Sequence, residues 1–359
     1  MDKTILTRWK FYTLAPAAFD AMYEDCVVAK RSIDLEMFIL KPDSVGARFV
    51  ELLERKAREG ILVRVLLDMV GSFAFVSSPL ETRLRKAGVV LNYFNHISPW
   101  RLRNFTSWYF RDHRKILIVD SQVGYTGGVN LFASSDSRRD TQVRIVGAVV
   151  TQMQAAFDRM WENTQKDKFI AFGAPVALEG LRFLTHSPHR RERHILRVCM
   201  DRMRHARRNI FITTPYFVPS VRLLRRLVAA ARRGVDVRIL LPSLSDVKIV
   251  DIAGRSFISL LLSVGVRIYF YQPPYLHAKV MTIDDTWAMI GSFNFDSLSF
   301  VYDYEAGIVS EREEFSKELS SQFFKDLESS NEVKAHVWHE RSLLAKIAEV
   351  LTWPIHFLL

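Results

Sequence analysis

Short runs rich in β-branched residues alternate with amphipathic stretches along the chain, and the alternation repeats. Residues 33–40 (IDLEMFIL) read as a strand, residues 50–60 as a helix, and residues 61–68 (ILVRVLLD) as a second strand. The same order returns at residues 210–217 (IFITTPYF), 223–234 and 235–241 (VDVRILL). Both helical stretches end in glycine, Gly60 and Gly234, a common helix stop. Residues 86–94 (KAGVVLNYF) and 263–270 (SVGVRIYF) form another matched pair. Strands alternating with helices predict an α/β fold, and the matched order predicts a tandem duplication. The expected halves span residues 1–165 and 182–335. The crossing lies between Trp161 and Arg182, where the apolar periodicity lapses in ENTQKDK and GAPVALEG.

Composition narrows the class without choosing a function. Of 359 residues, 49% are apolar and 25% charged, as in ordinary globular domains, which excludes disorder and small disulfide scaffolds. The two cysteines, Cys26 and Cys199, have no zinc-type or CxxC spacing and suit a reducing compartment. No uncharged stretch reaches the roughly 18 residues that a membrane span requires, and the N-terminus does not read as a signal peptide. The net charge of +11 attracts polyanions, whether nucleic acid, anionic lipid headgroups or phosphate esters.

Each half carries one polar constellation. The first contains His113, Lys115 and Asp120, then six residues, then Gly127-Gly128-Val129-Asn130. The second contains His277, Lys279 and Asp284, again six residues, then Gly291-Ser292-Phe293-Asn294. His and Lys two apart on a strand project from one face, so an imidazole and an ammonium can converge on one phosphate. The small residues Gly128 and Ser292 suit close approach to an anion, and the amides of Asn130 and Asn294 can donate to phosphate oxygens. Two such half-sites face to face make a phosphodiester site. Asp120 and Asp284 are grouped with the catalytic candidates as members of the motif, but they end its strand, and a role in bracing the following turn is favoured. Asp140, ten residues after Asn130, and Glu305, eleven after Asn294, open matching strands and are candidates to orient the histidines, with Asp303 a competitor for Glu305. No carboxylate or cysteine cluster has metal-ligand spacing, so neither a metal nor another cofactor is expected.

HxKxxxxD followed by GGxN or GSxN, occurring twice, resembles the phospholipase D superfamily over nearly the whole chain. The resemblance implies two α/β/α sandwich halves with the active site at their interface. It also implies a two-step, metal-independent mechanism. His113 would attack phosphorus to give a phosphohistidine, and His277 would protonate the leaving alcohol and then deprotonate the acceptor. Lys115, Lys279, Asn130 and Asn294 would hold the charge on phosphorus, while Asp140 and Glu305 would bond the histidines.

Finer features resemble bacterial cardiolipin synthases: Phe110-Arg-Asp-His-Arg-Lys-Ile116, Arg139-Asp-Thr141, Leu276-His-Ala-Lys279 and Gly291-Ser-Phe-Asn-Phe-Asp296. That likeness implies phosphatidylglycerol and a second phospholipid as substrates, at the cytoplasmic side of the bacterial membrane. Phospholipase D hydrolysis and a related endonuclease activity are the rivals, though an obligatory nucleic-acid partner is not expected. Many cardiolipin synthases begin with two spanning helices, and this sequence matches the shorter, peripheral kind. Contact with an anionic membrane would then fall to the surface. In the amphipathic tail, residues 336–359, Leu343, Leu344, Ile347, Val350 and Leu351 share one helical face, followed by Trp353. That face suits either a membrane or the protein's own core.

Overall fold

Apolar alternation in the two repeats builds two mixed sheets in the computed structural model, which describes residues 7–95, 109–133, 138–166, 176–188, 193–272 and 275–352. The first sheet runs, in spatial order, Arg8–Leu14, Arg139–Val146, Val123–Gly127, Lys115–Val119, Ser32–Met37, Leu62–Asp68 and Val90–Phe94. The second repeats it in reverse listing: Arg267–Tyr271, Asp236–Pro242, Asn209–Thr213, Val280–Ile283, Trp287–Gly291, Glu305–Ser310 and Leu181–His186, with Ser330–Glu332 added at the Arg267–Tyr271 edge. The helices Ser44–Arg58 and Val221–Arg232 bridge parallel strands, as such crossovers must. Gly60 and Gly234, at φ of +86° and +87°, end these helices in the left-handed region.

The motif strands are joined by tight hairpins, and here the two aspartates act. Asp120 and Ser121 have φ of +53° and +55°, and Asp284 and Asp285 have +55° and +56°. Two consecutive left-handed residues match the right-handed twist of a hairpin, and Asp tolerates that conformation better than most residues. The Asp120 carboxylate accepts the backbone N–H groups of Lys30, Arg31 and Ser32, and Asp284 accepts those of Arg207, Arg208 and Asn209. Each aspartate therefore stitches the motif hairpin to the start of its neighbouring strand.

Inner faces of the two sheets pack against each other. Ile116, Ile118, Val143, Ile145 and Phe157 share one buried cluster with Val280, Ile290, Ile308 and Phe315. Burying each such side chain is worth about 1.5–3 kcal/mol, so the halves are joined by a continuous apolar layer. A buried ion pair crosses the same junction: Arg139 Nη2 and Asp326 Oδ2 are 2.7 Å apart, with Nε and Oδ1 at 2.9 Å. Outer faces are covered by helices over separate cores around Phe49 and Val65 in the first half, and Leu227 and Ile239 in the second.

Beyond the second sheet, the chain differs from the expected tail. Trp338, in the short helix Ala335–His339, is buried in the second half's own core, so the amphipathic unit starts later than residue 336. The helix Leu343–Thr352 leaves Leu343, Leu344 and Leu351 at 72%, 78% and 72% exposure, while Glu349 is buried and paired with Arg341. Its apolar stripe therefore faces away from the core, and its polar side fastens it. The Val350 side chain and residues 353–359, with Trp353, lie outside the described residues. Among the described residues no helix is long and apolar enough to cross a membrane.

Candidate active site

Two parallel bridges tie the halves together at one rim of the sandwich, Asp112 with Tyr304 and Arg139 with Leu276. His113 N–H donates to the Tyr304 carbonyl at 3.0 Å, and His277 N–H donates to the Arg139 carbonyl at 2.8 Å. These bonds set each motif histidine beside the strand start of the opposite half. The carboxylates are consequently crossed. His113 Nδ1 lies 2.8 Å from Glu305 Oε1, and His277 Nδ1 lies 2.7 Å from Asp140 Oδ2. A carboxylate on Nδ1 fixes the ring so that Nε2 is left for chemistry. Asp303 does not bond His113, although its carboxylate falls within 4.8 Å of the His113 and Glu305 ligand atoms. Those three groups could hold a cation by type, but the buried Lys115 ammonium already supplies positive charge beside them.

Lys115 and Lys279 are fully buried and fold back along the strand. Lys115 Nζ donates to the His113 carbonyl at 2.5 Å and Lys279 Nζ to the His277 carbonyl at 2.6 Å. Lys279 Nζ also stands 3.0 Å from His277 Nε2. Asn130 turns its Oδ1 to the Ile39 N–H at 3.1 Å, which orients its amide, and Asn294 Oδ1 is buried with no hydrogen-bond partner among the described residues. The two His–Lys pairs thus lie close enough for the lysine of each half to act on groups of the other.

Gly128 and Ser292, expected at the phosphate, are placed by the structure against the carboxylates instead. Gly128 N–H is taken by the Thr141 carbonyl, and a Cβ at Gly128 would come within 2.1 Å of Asp140 Oδ1. Ser292 Oγ bonds Glu305 Oε2 and accepts the Ala306 N–H at 3.0 Å. The shorter Asp140 needs bare space and holds itself through Thr141 N–H at 2.7 Å, whereas the longer Glu305 needs a hydroxyl to pin its second oxygen. Asp120 and Asp284, grouped with the catalytic set from sequence, sit at the far ends of the motif strands and are not brought to these pairs.

Sequence reasoning missed the buried support beneath His113. Arg114, between His113 and Lys115, must point to the opposite face of the strand, where its Nε meets Glu36 Oε1 at 2.6 Å. Asp68 accepts the Asp112 N–H at 2.9 Å and so holds the segment that leads into His113. An arginine between two motif residues that share one face, and so turned to the other, was the available signal. Arg138, beside His277 in a surface cleft, was also passed over.

Burial dominates the electrostatics. It pulls both imidazoles down to about 4, against the raising effect of their carboxylates. It also lowers Lys115 to about 8 and Lys279 to about 7. Burial would raise Asp140 and Glu305, but the histidine each one bonds, together with the lysines, holds both below the ordinary range. At pH 7, before substrate binds, the rings are therefore neutral and the carboxylates ionised. A phosphodiester anion arriving between the rings favours their protonated form, which a general acid requires. Because free-enzyme ionisations govern kcat/KM, its decline with rising pH, begun as the general-acid imidazole loses its proton, should steepen through about 7–8 as the lysines lose theirs. A profile flat to pH 9.5 would contradict this placement of the lysine charges.

Two buried histidines, two lysines and two asparagines on a duplicated α/β/α frame define the class, a phosphodiester-active enzyme of the phospholipase D superfamily. The chain belongs to the cardiolipin synthase, PLD-like family, whose model matches residues 27–161 and 199–327. A cardiolipin synthase of Clostridium perfringens strain 13 is 30% identical, with 95% of this chain and 75% of that protein covered. One from Geobacillus sp. strain WCH70 is 31% identical over 96% of this chain and 71% of that protein. Among solved structures, phosphatidylserine synthase of Haemophilus influenzae Rd KW20 aligns with a TM-score of 0.75 at 14% identity, covering 98% of this chain and 95% of that one. That likeness is one of fold.

Proposed function

We propose that the protein is a phosphatidyltransferase that forms cardiolipin from phosphatidylglycerol and a second phospholipid through a phosphohistidine. The observation that carries this reading is the crossed pairing of each histidine with the other half's carboxylate. With Glu305 on Nδ1, His113 Nε2 attacks phosphorus, and the P–O bond to the leaving glycerol breaks as His277 gives that oxygen a proton. In the second step the acceptor's hydroxyl proton passes to His277 and its oxygen bonds phosphorus. The P–N bond breaks, and its electron pair returns to His113. Lys115, Lys279, Asn130 and Asn294 donate to the equatorial oxygens, where charge grows. Purified protein with phosphatidylglycerol vesicles in EDTA should yield cardiolipin and glycerol, resolved by mass spectrometry. Phosphatidic acid alone would make water the acceptor and the protein a hydrolase.

The substrates reside in a bilayer, and the exposed stripe of Leu343–Thr352 suits that surface. The enzyme then works peripherally, on the cytoplasmic side of the bacterial membrane, with its positive charge drawn to anionic lipid. Leu244, which lines the cleft with His277, is itself 63% exposed, and the helix Lys248–Arg255 that follows packs against Leu343–Thr352. Apolar surface thus runs from the cleft mouth to the terminal helix. Replacing Leu343, Leu344 and Leu351 together with Gln should weaken sedimentation with anionic vesicles at least about tenfold, since each buried leucine is worth about 1.5–3 kcal/mol. The melting temperature should hold, because these side chains touch water. Unchanged sedimentation would remove the helix from membrane contact.

A further inference from the structure

The pseudo-symmetric site is broken by charge at three matched positions. The bridges Leu40 with Leu131 and Phe217 with Phe295 are equivalent in the two halves. The residue after each first partner is Lys41 in one half and Val218 in the other. Two residues after each motif asparagine stand Phe132 and Asp296, and two before each orienting carboxylate stand Arg138 and Asp303. At these three positions one side of the site carries two cations and an aromatic ring, and the other carries two acids and an apolar residue.

The cationic side is assembled. Lys41 Nζ lies 4.7 Å and Arg138 Cζ 5.4 Å from the centroid of the same ring, the buried Phe132. Lys41 has no acidic partner among the described residues. Arg138 Nη2 is held by Asp246 Oδ2 at 3.0 Å, and Tyr216 Oη donates to Asp246 Oδ1 at 2.5 Å, which fixes the guanidinium's direction. Arg138 Nε is buried and donates to nothing among the described residues. Asp246 offsets one of these two charges and no described acid offsets the other, so the pair attracts a further anion, and a planar guanidinium fits phosphate oxygens. Arg138 also lines the same cleft as His277, whereas Asp303 stands beside His113.

Resting on the transferase reading above, we propose that Lys41 and Arg138, seated on Phe132, bind the acceptor lipid's own phosphodiester while His277 takes the proton of its terminal hydroxyl. Water and simple alcohols carry no such group. A second phosphatidylglycerol does, three carbons from the hydroxyl that reacts. The subsite therefore sets which acceptor reaches the phosphohistidine, and it lies on one side only, so donor and acceptor lipids enter with distinct orientations.

A partition assay isolates this role from overall rate. Phosphatidylglycerol vesicles are supplied with ethanol, and the ratio of cardiolipin to phosphatidylethanol is measured for wild type, K41Q/R138Q and R138K. Both products leave one phosphohistidine, so the ratio reports acceptor choice even in a slowed variant. The double variant should lower the ratio at least tenfold, with R138K in between. A second arm supplies soluble glycerol 3-phosphate and isotopically labelled glycerol as competing acceptors, the label marking transfer to glycerol, which otherwise only regenerates phosphatidylglycerol. Wild type should prefer the phosphate ester and the double variant should not, which separates phosphate recognition from attraction to an anionic surface. An unchanged ratio in the double variant, beside a wild type that makes cardiolipin, overturns the subsite alone. A wild type that makes phosphatidylethanol but no cardiolipin overturns the lipid-acceptor reading and the subsite with it.

Discussion

With either histidine replaced by Ala, cardiolipin formation is expected to fall by about 10⁴-fold or more, because nucleophile and acid–base act as one unit. The two variants should nevertheless differ on a phosphatidyl p-nitrophenol substrate, whose leaving group needs no proton. His277→Ala retains His113 with Glu305 on its Nδ1, so it should release about one equivalent of p-nitrophenol and stop. The stalled protein should carry an acid-labile phosphatidyl group on His113, found by mass spectrometry of the peptide. His113→Ala should release none. A trapped group on His277 instead would reverse the roles.

The crossed carboxylates give the second large effect. Changing an orienting carboxylate to its amide in a comparable triad costs about 10⁴-fold while leaving the geometry nearly intact, because the ring then takes the wrong tautomer. Losses of about 10²- to 10⁴-fold are expected for Glu305→Gln and Asp140→Asn in cardiolipin formation. Their signatures on the activated substrate should be opposite to their chain positions. Glu305→Gln, in the second half, should abolish the p-nitrophenol burst, which depends on His113 in the first. Asp140→Asn, in the first half, should keep the burst and block turnover, since it disables His277. Bursts that followed the half in which the mutation lies would contradict the geometry.

The duplication and the motif were legible in the sequence because they depend on local order. Strand, helix and strand recur at fixed offsets, and each His–Lys pair lies within one short segment. The carboxylates were legible as candidates for the same reason, but their crossing was not. It depends on bridges between residues far apart, Asp112 with Tyr304 and Arg139 with Leu276, which exist only when two finished sheets dock. The edge strands Arg8–Leu14 and Leu181–His186 were also missed, the first because its pattern is mostly half-buried and lacks a clear apolar alternation. Gly128 and Ser292 were misplaced because a small residue near an anion site reads the same whether it admits a phosphate or a neighbouring carboxylate. The charge asymmetry of Lys41 and Arg138 against Val218 and Asp303 becomes visible only after the strands are paired, since none of these residues belongs to the repeated motif.

The crossing also governs when this chain can become an enzyme during its synthesis. A first half that has left the ribosome already holds His113, Lys115 and Asn130, yet the carboxylate that bonds its imidazole is missing until residue 305 has emerged and the second sheet has docked. Quality control is written into the site, because a protein misfolded in either half falls silent in both.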